Sequence, residues 1–381
     1  MQPVYITRTA AFLPNPPVDN DNMERILGQA GERPSRARRT ILRSNGIKTR
    51  HYAIDPDTLQ PTHTNAQLAA EAVRKLGEDG FELSSLGALA CGTSIADQLM
   101  PGHGVMVHGE LKLPALEVAS LSGVCASGVT ALRYIAMLVG SGVHKSGAAS
   151  GSELSSAMMS ARNFEGEIEA RVAALEANPE LAFEKDFLRW MLSDGAGAML
   201  VQDQPNEDSL SLRLDWIEIA SFAGEMDTCM YAGAVKNEDG AVTGWPQFSS
   251  AERVAQSVFA VKQDVRLLNE HVMPYTAAKP LPGIRERRGL NADAVTHFLP
   301  HYSSEYFRPR LKQALLSVGF DVPEERWFTN LTARGNTGSA SIYIMVDELL
   351  RSGRVERGDT LLCWVPESGR FTGAYMHMTA V

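Results

Sequence analysis

The sequence predicts an α/β protein assembled from two similar halves. Three observations carry that expectation. Short apolar runs alternate with stretches of helical spacing along the chain, the pattern of a sheet covered by helices on both faces. A small-residue turn at Gly123-Val124-Cys125-Ala126-Ser127-Gly128, followed by an apolar helical run to Ser141-Gly142, returns as Gly335-Asn336-Thr337-Gly338-Ser339-Ala340-Ser341 and a run to Ser352-Gly353. Aligning Cys125 with Asn336 brings the two Ser-Gly ends into register without a gap. The order of elements also repeats at half-chain scale, which predicts two similar layers instead of a short-repeat solenoid.

In the first half, residues 4–6 read as a strand before the turn holding Pro14, Pro16 and Pro17. Residues 66–76 have helical spacing, and 86–91 form a short apolar strand that stops at Gly92-Thr93-Ser94. The Cys125 helix follows, then a small-residue strand over 148–152. A tight turn at Asp194-Gly195-Ala196-Gly197 precedes the strand 199–201. The halves divide as 1–205, with the cysteine, and 206–381, with the histidine and asparagine discussed below. In the second half, 212–219 is a strand, 251–268 a helix, and 295–299 a strand that stops at Pro300-His301-Tyr302-Ser303. The Asn336 helix and strands over 360–365 and 374–378 complete it. Both small-residue turns lead into helices apolar on most sides, through Val129, Leu132, Ile135 and Val139 in one and Ile342, Ile344, Val346 and Leu349 in the other. Such helices belong inside a protein, and as a central pair they bring both N-termini to one site. The charged stretch 165–185 reads as an inserted surface helix.

The chain has 381 residues, 44% hydrophobic and 21% charged, enough for a substantial core. Its net charge of -9 argues against nucleic acid as a partner. No run approaches the roughly 18 apolar residues of a membrane helix, and residues 1–17 lack the pattern of a signal peptide. Cys91, Cys125, Cys229 and Cys363 form no CxxC pair and no zinc spacing. That predicts no metal, and free thiols in a reducing compartment, the cytoplasm. Cys91, Cys229 and Cys363 read as packing residues.

Cys125 stands apart by position. The start of a buried helix offers the positive end of the helix dipole and unpaired N–H groups, which favour the thiolate and can receive an oxyanion. His301 follows a strand end matching Cys91-Gly92 in the duplicate, where α/β sheets place function. His297, inside the strand, reads as structural. Asn336 at the other helix start is either an N-cap or a hydrogen-bonding amide in the site. Between residues 33 and 50 lie Arg33, Arg36, Arg38, Arg39, Arg43, Lys48 and Arg50 with no acid among them, a candidate patch for phosphates or an acidic protein face, or else a solvated basic helix.

These residues resemble the thiolase superfamily, in particular the type III β-ketoacyl-acyl-carrier-protein synthases. The matching segments are Val124-Cys125-Ala126-Ser127-Gly128, Asp194-Gly195-Ala196-Gly197-Ala198, Leu299-Pro300-His301 and Gly335-Asn336-Thr337-Gly338-Ser339-Ala340-Ser341, in family order over nearly the whole chain. The resemblance implies a duplicated αβαβα sandwich, a homodimer, Cys125 as acylated nucleophile, His301 and Asn336 as enolate-stabilising residues, and acyl-carrier-protein or coenzyme A thioesters as substrates without a cofactor. It also implies Arg43 as a phosphate-side arginine and Met100, in Gln98-Leu99-Met100-Pro101, as a pocket residue lent to the partner subunit.

Three departures stand out. Arg39 replaces a tryptophan frequent in the family. The family's His-Gln-Ala-Asn is His301-Tyr302-Ser303-Ser304 here, and its glycine-rich turn is Pro366-Glu367-Ser368-Gly369-Arg370. They resemble the ketosynthases that join two acyl thioesters into a cyclohexanedione precursor of dialkylresorcinols or stilbenes. In that reading Glu153 is a base for ring closure, its alternative being a structural hydrogen bond. Arg334 binds a substrate oxygen, and Arg39 and Gly369 contact substrate. The other readings are an ordinary type III synthase using a malonyl carrier in fatty-acid or polyketide initiation, an acyltransferase forming no carbon–carbon bond, and a catalytically silent partner subunit.

Overall fold

The computed structural model describes residues 2–29, 38–78, 80–163 and 188–381. The expected surface helix at 165–185 lies outside them, as do Arg33 and Arg36. Nine strands form the main sheet: β1 (Tyr5–Phe12), β2 (Ala88–Thr93), β3 (Glu117–Ser122), β4 (Ser146–Glu153), β5 (Gly195–Gln202), β6 (Leu212–Ser221), β7 (His297–Pro300), β8 (Thr360–Glu367) and β9 (Thr372–Ala380). Their order is β7-β8-β9-β6-β1-β5-β4-β2-β3. Within the sheet the halves meet where Tyr5 and Ile6 of β1 pair with Arg213 and Leu212 of β6.

The two half-sheets repeat one topology. In the first, β2 is parallel to β4, β4 antiparallel to β5, and β5 antiparallel to β1. In the second, β7 is parallel to β8, β8 antiparallel to β9, and β9 antiparallel to β6. Even the edge strand β3, parallel to β2, has a counterpart in the parallel bridge of Trp327 to Phe298.

Strand alternation sorts the side chains into layers. Leu89 and Cys91 of β2 face outward onto α1 (Asn65–Lys75), while Ala88 and Ala90 face the central helices α3 (Ala126–Gly140) and α6 (Ser341–Arg351). In β8, Leu361, Cys363 and Val365 face the same centre, and Leu362 and Trp364 face outward onto α4 (Val265–Met273) and α5 (Arg308–Ser317). A further helix, α2 (His103–Leu111), packs beside β3. The result is a duplicated αβαβα sandwich with α3 and α6 between the sheets.

Both central helices end as their Ser-Gly pairs predict, with Gly142 and Gly353 at φ 79° and 69° providing the left-handed residue after the last turn. Their starts differ. The first begins directly after Cys125, and the second passes through a 3₁₀ turn, Gly338–Ala340. Arg133 and Met137 are exposed, so α3 is less enclosed than its composition predicts.

Two predicted elements need correction. Asp194-Gly195-Ala196-Gly197 is not a turn: β5 starts at Gly195, and buried Asp194 accepts hydrogen bonds from Ala53 N and Ser156 N, stitching two loops to the sheet. The helix expected over 251–268 is two helices, Ser250–Ala255 and α4, separated by a short strand that pairs with Met230–Tyr231. Asp264 imposes the break, because its side chain accepts Leu267 N and caps α4. Among the described residues no helix is long and apolar enough to cross a membrane.

The central helices approach too closely for a side chain at some positions. A Cβ on Gly128 would stand 2.4 Å from the Ser339 carbonyl oxygen, and one on Gly151 would stand 2.3 Å from it. Gly128→Ala is expected to destabilise the fold by about 1–3 kcal/mol or more through overpacking, read as a lower denaturation midpoint at unchanged secondary structure.

Candidate active site

Four of the predicted residues line one cavity: Cys125, His301, Asn336 and Glu153. All are buried. Cys125 stands at the start of α3. His301 follows the carboxyl end of β7 and is held by its backbone N–H, which donates to Trp364 O at 2.8 Å. Asn336 is fixed by two backbone bonds, its N–H to Met191 O at 2.9 Å and its carbonyl from Ser193 N at 2.8 Å. Its Oδ1 accepts Gly338 N at 2.9 Å, a local turn two residues on and not the expected N-cap, which falls on Thr337 for the 3₁₀ turn and on Ala340 for α6. The amide Nδ2 meets no partner among the described residues and remains a donor for the cavity. Glu153 ends β4, and its Oε1 accepts from Ser94 N (3.1 Å), Ser94 Oγ (2.7 Å) and Ser339 N (3.0 Å). These bonds are the structural alternative expected for Glu153.

The rest of the cavity wall is mostly apolar. Met159, Leu188, Met191, Val272, Met273 and Phe307 are buried side chains on it. Methionines adapt to flexible ligands, and such a wall suits an alkyl or acyl chain. None of these residues was singled out by the sequence, where each reads as ordinary core. Ser94 and Ser339 were equally silent, since a serine acquires its role only once Glu153 is beside it.

The electrostatics differ from expectation at Cys125. Burial pushes the Cys125 thiol up, and the carboxylates of Glu153 and Glu367 add to this; only its own backbone N–H acts in the opposite direction. The resting group is the thiol, where the helix start alone predicts thiolate. Burial also raises both carboxylates, so they are more readily protonated than in water. Burial lowers His301 to about 4, making it a neutral imidazole. Its Nε2 is buried and meets no hydrogen-bond partner among the described residues. A buried polar atom on a cavity wall without a protein partner calls for one from a ligand. His297, by contrast, pairs with Asp359 at 3.2 Å, a structural role. Among the described residues no cluster of His, Cys, Asp and Glu is arranged to hold a metal.

The remaining predicted residues lie elsewhere. Arg334 does not reach the cavity: its Nε donates to Glu348 at 2.6 Å, which fixes it as an ion pair on α6. Arg39 and Arg43 are exposed on the helix Arg38–Asn45, away from the cavity wall. The basic run is not one patch, because Arg50 is fully buried and donates to Trp190 O and Asn20 Oδ1. Arg38 pairs with Glu24. Gly369 lines a neighbouring groove, and its carbonyl is occupied by Cys229 N and Met230 N. Met100 is 82% exposed on the loop between β2 and α2 and lines neither the Cys125 cavity nor the neighbouring groove. Cys91, Cys229 and Cys363 are buried packing thiols.

The fold is of the thiolase-like class, and its cavity gathers a cysteine, a histidine and an asparagine between the two duplicated halves. Within that class, its likeness is to type III synthases. Residues 286–377, which carry His301 and Asn336, match the family described as 3-oxoacyl-[acyl-carrier-protein (ACP)] synthase III C terminal. Over nearly its whole length the chain is similar to β-ketoacyl-[acyl-carrier-protein] synthase III of Aquifex aeolicus, with 23% identity over 372 residues, 97% of this chain and 98% of the relative. The Xanthomonas oryzae enzyme of the same name is 24% identical over 359 residues, 94% of this chain and 92% of the relative. Among solved structures, FabH of Pseudomonas aeruginosa matches with a TM-score of 0.71 at 20% identity, covering 99% of this chain and 98% of the other. The tetronic acid condensing enzyme AbyA1 matches at 0.74 and 19%, covering 99% of each chain. OleA of Xanthomonas campestris matches at 0.72 and 18%, covering 99% and 98%.

The His301 environment makes a titration prediction. Its folded value of about 4 lies below the ordinary imidazole value of 6.5, so the unfolded chain binds the proton first. His301 therefore costs no stability above pH 6.5, and stability drains as pH falls from 6.5 towards 4. NMR of the imidazole is expected to show His301 still neutral at pH 5; a midpoint near 6.5 would contradict the buried, unpaired environment.

Proposed function

We propose that this protein is a condensing enzyme of the type III β-ketoacyl synthase kind that joins two acyl thioesters through an acyl group on Cys125. One observation carries the reading: Cys125, an unpartnered His301 Nε2 and the Asn336 amide line the same buried, largely apolar cavity. The thiol attacks the first thioester, the neighbouring backbone N–H groups receive the oxyanion, and the carrier thiol leaves. A second thioester then forms an enolate whose oxygen accepts hydrogen bonds from His301 and Asn336. The enolate carbon attacks the acyl-enzyme, the new carbon–carbon bond forms, and the Cys125 thiolate leaves.

The finer reading is ring formation. With an unsaturated acyl group on Cys125 and a β-ketoacyl donor, one bond forms at the unsaturated carbon and a second at the thioester carbonyl, closing a cyclohexanedione that leads to dialkylresorcinols or stilbenes. The turn Pro366-Glu367-Ser368-Gly369-Arg370, with one glycine where the family's is glycine-rich, and the buried Glu153 support it, with Glu153 taking the proton for ring closure. Arg39 and Arg43, exposed on one helix, are the proposed docking charges for coenzyme A phosphates or an acidic carrier protein. A homodimer through the open edge of β3 would place the exposed Met100 against the partner's pocket, in a cytoplasmic enzyme. A second reading, an ordinary synthase using a malonyl carrier, is favoured by the names of the sequence relatives.

Incubation with an unsaturated acyl-carrier and a β-ketoacyl-carrier, followed by mass analysis, separates these readings. The expected outcome is an acyl mass on Cys125 and a cyclohexanedione, both lost in Cys125→Ala. Condensation only when a malonyl carrier is supplied would select the second reading. An acyl group taken up but passed only to an alcohol or amine would make the protein a simple acyltransferase. No acyl mass on the wild type would leave a silent partner subunit.

A further inference from the structure

Glu153 is tied to three donors, and the condensing chemistry must still remove a proton from carbon. A second carboxylate stands beside the nucleophile turn with no role assigned to it so far. Glu367 closes β8, where the chain turns towards β9. Its Oε2 accepts Val124 N at 3.2 Å, one residue before Cys125. The Ala126 N–H and the Thr372 side chain favour its ionised form. Glu367 does not line the Cys125 cavity; it lines the adjoining groove that runs towards the edge strand β3. Cavity and groove adjoin, with Ser94, Ile95, Val124, Met158, Met230 and Val261 on the walls of both. Two carboxylates thus flank Cys125 from different sides, Glu153 from within the cavity and Glu367 from the groove. Burial holds Glu367 above the ordinary carboxylate range, the direction that suits a base working near neutral pH.

We propose that Glu367 is the base that takes the α-proton of the second thioester, a donor that reaches Cys125 from the groove. This rests on the condensing reading and deepens it, because it assigns the donor class: thioesters activated by deprotonation. The α C–H bond breaks, its proton passes to the Glu367 carboxylate, and its electron pair becomes the enolate held by His301 and Asn336. The enolate carbon bonds to the acyl carbon on Cys125, the C–S bond breaks, and the thiolate regains the proton from Glu367. A malonyl donor needs no such base, because loss of carbon dioxide supplies the electron pair.

The test compares wild type, Glu367→Gln and Glu367→Asp with a β-ketoacyl donor and with a malonyl donor, while mass spectrometry follows acylation of Cys125. Glutamine keeps an acceptor for Val124 N but cannot hold the proton. The expected result is a change of roughly a hundredfold in the ratio of the two condensation rates, against the β-ketoacyl donor, with part of it recovered in Glu367→Asp. Equal losses with both donors, or loss of Cys125 acylation, would overturn the proposal and make Glu367 a positioning residue for the turn. An unchanged ratio would overturn it as well. A wild type that is acylated but condenses only malonyl donors would also overturn it and leave the condensing reading standing. A wild type that takes up no acyl group would remove both.

Discussion

The site depends on how closely Ser339 of the second half sits against the first. Its carbonyl lies where Gly128 and Gly151 have no side chain, and its Oγ donates to the carbonyls of Gly92 and Ser152. Its N–H holds Glu153. One residue thus contacts the nucleophile helix and the ends of two strands. Cys125 lies three positions before Gly128, Asn336 three before Ser339, and Glu153 two after Gly151. Fixing this contact fixes the distance between the groups that line the cavity. Any side chain at Gly128 would push the halves apart and separate them.

Enclosure also sets the charge state of the site. Desolvation opposes every ionised form, so the cysteine rests as a thiol, the histidine is neutral and the carboxylates are raised. Such a site holds few fixed charges and has hydrogen-bonding groups waiting for a ligand. A neutral imidazole and an amide suit stabilisation of a developing oxyanion, since neither requires a counter-charge buried with it. The apolar wall would likewise keep water from an acyl group bound there.

The duplicated frame was legible because helices and strands leave periodic marks. The alignment of Cys125 with Asn336 and the two Ser-Gly ends needed no structure to see, and the ends of both central helices match it. His301 was legible because it follows a strand end with a counterpart in the other half. Local signals failed where a side chain acts on a distant backbone. Asp194 looked like part of a turn because turns favour Asp-Gly, yet its partners are Ala53 and Ser156. The basic run looked like one surface, yet Arg50 is buried within it to satisfy Trp190 O and Asn20.

The sequence by itself determined the class of fold, the duplication and three residues that the structure brings to one cavity, Cys125, His301 and Asn336, because each depends on local pattern and on position relative to helix and strand ends. Tertiary structure alone decided what surrounds them. The methionine-rich wall, the serines around Glu153, the pairing of Arg334 with Glu348 and the approach of Glu367 to the cysteine turn all join residues far apart in the chain. Such contacts leave no periodicity to read. They exist only once the two halves have closed around Ser339.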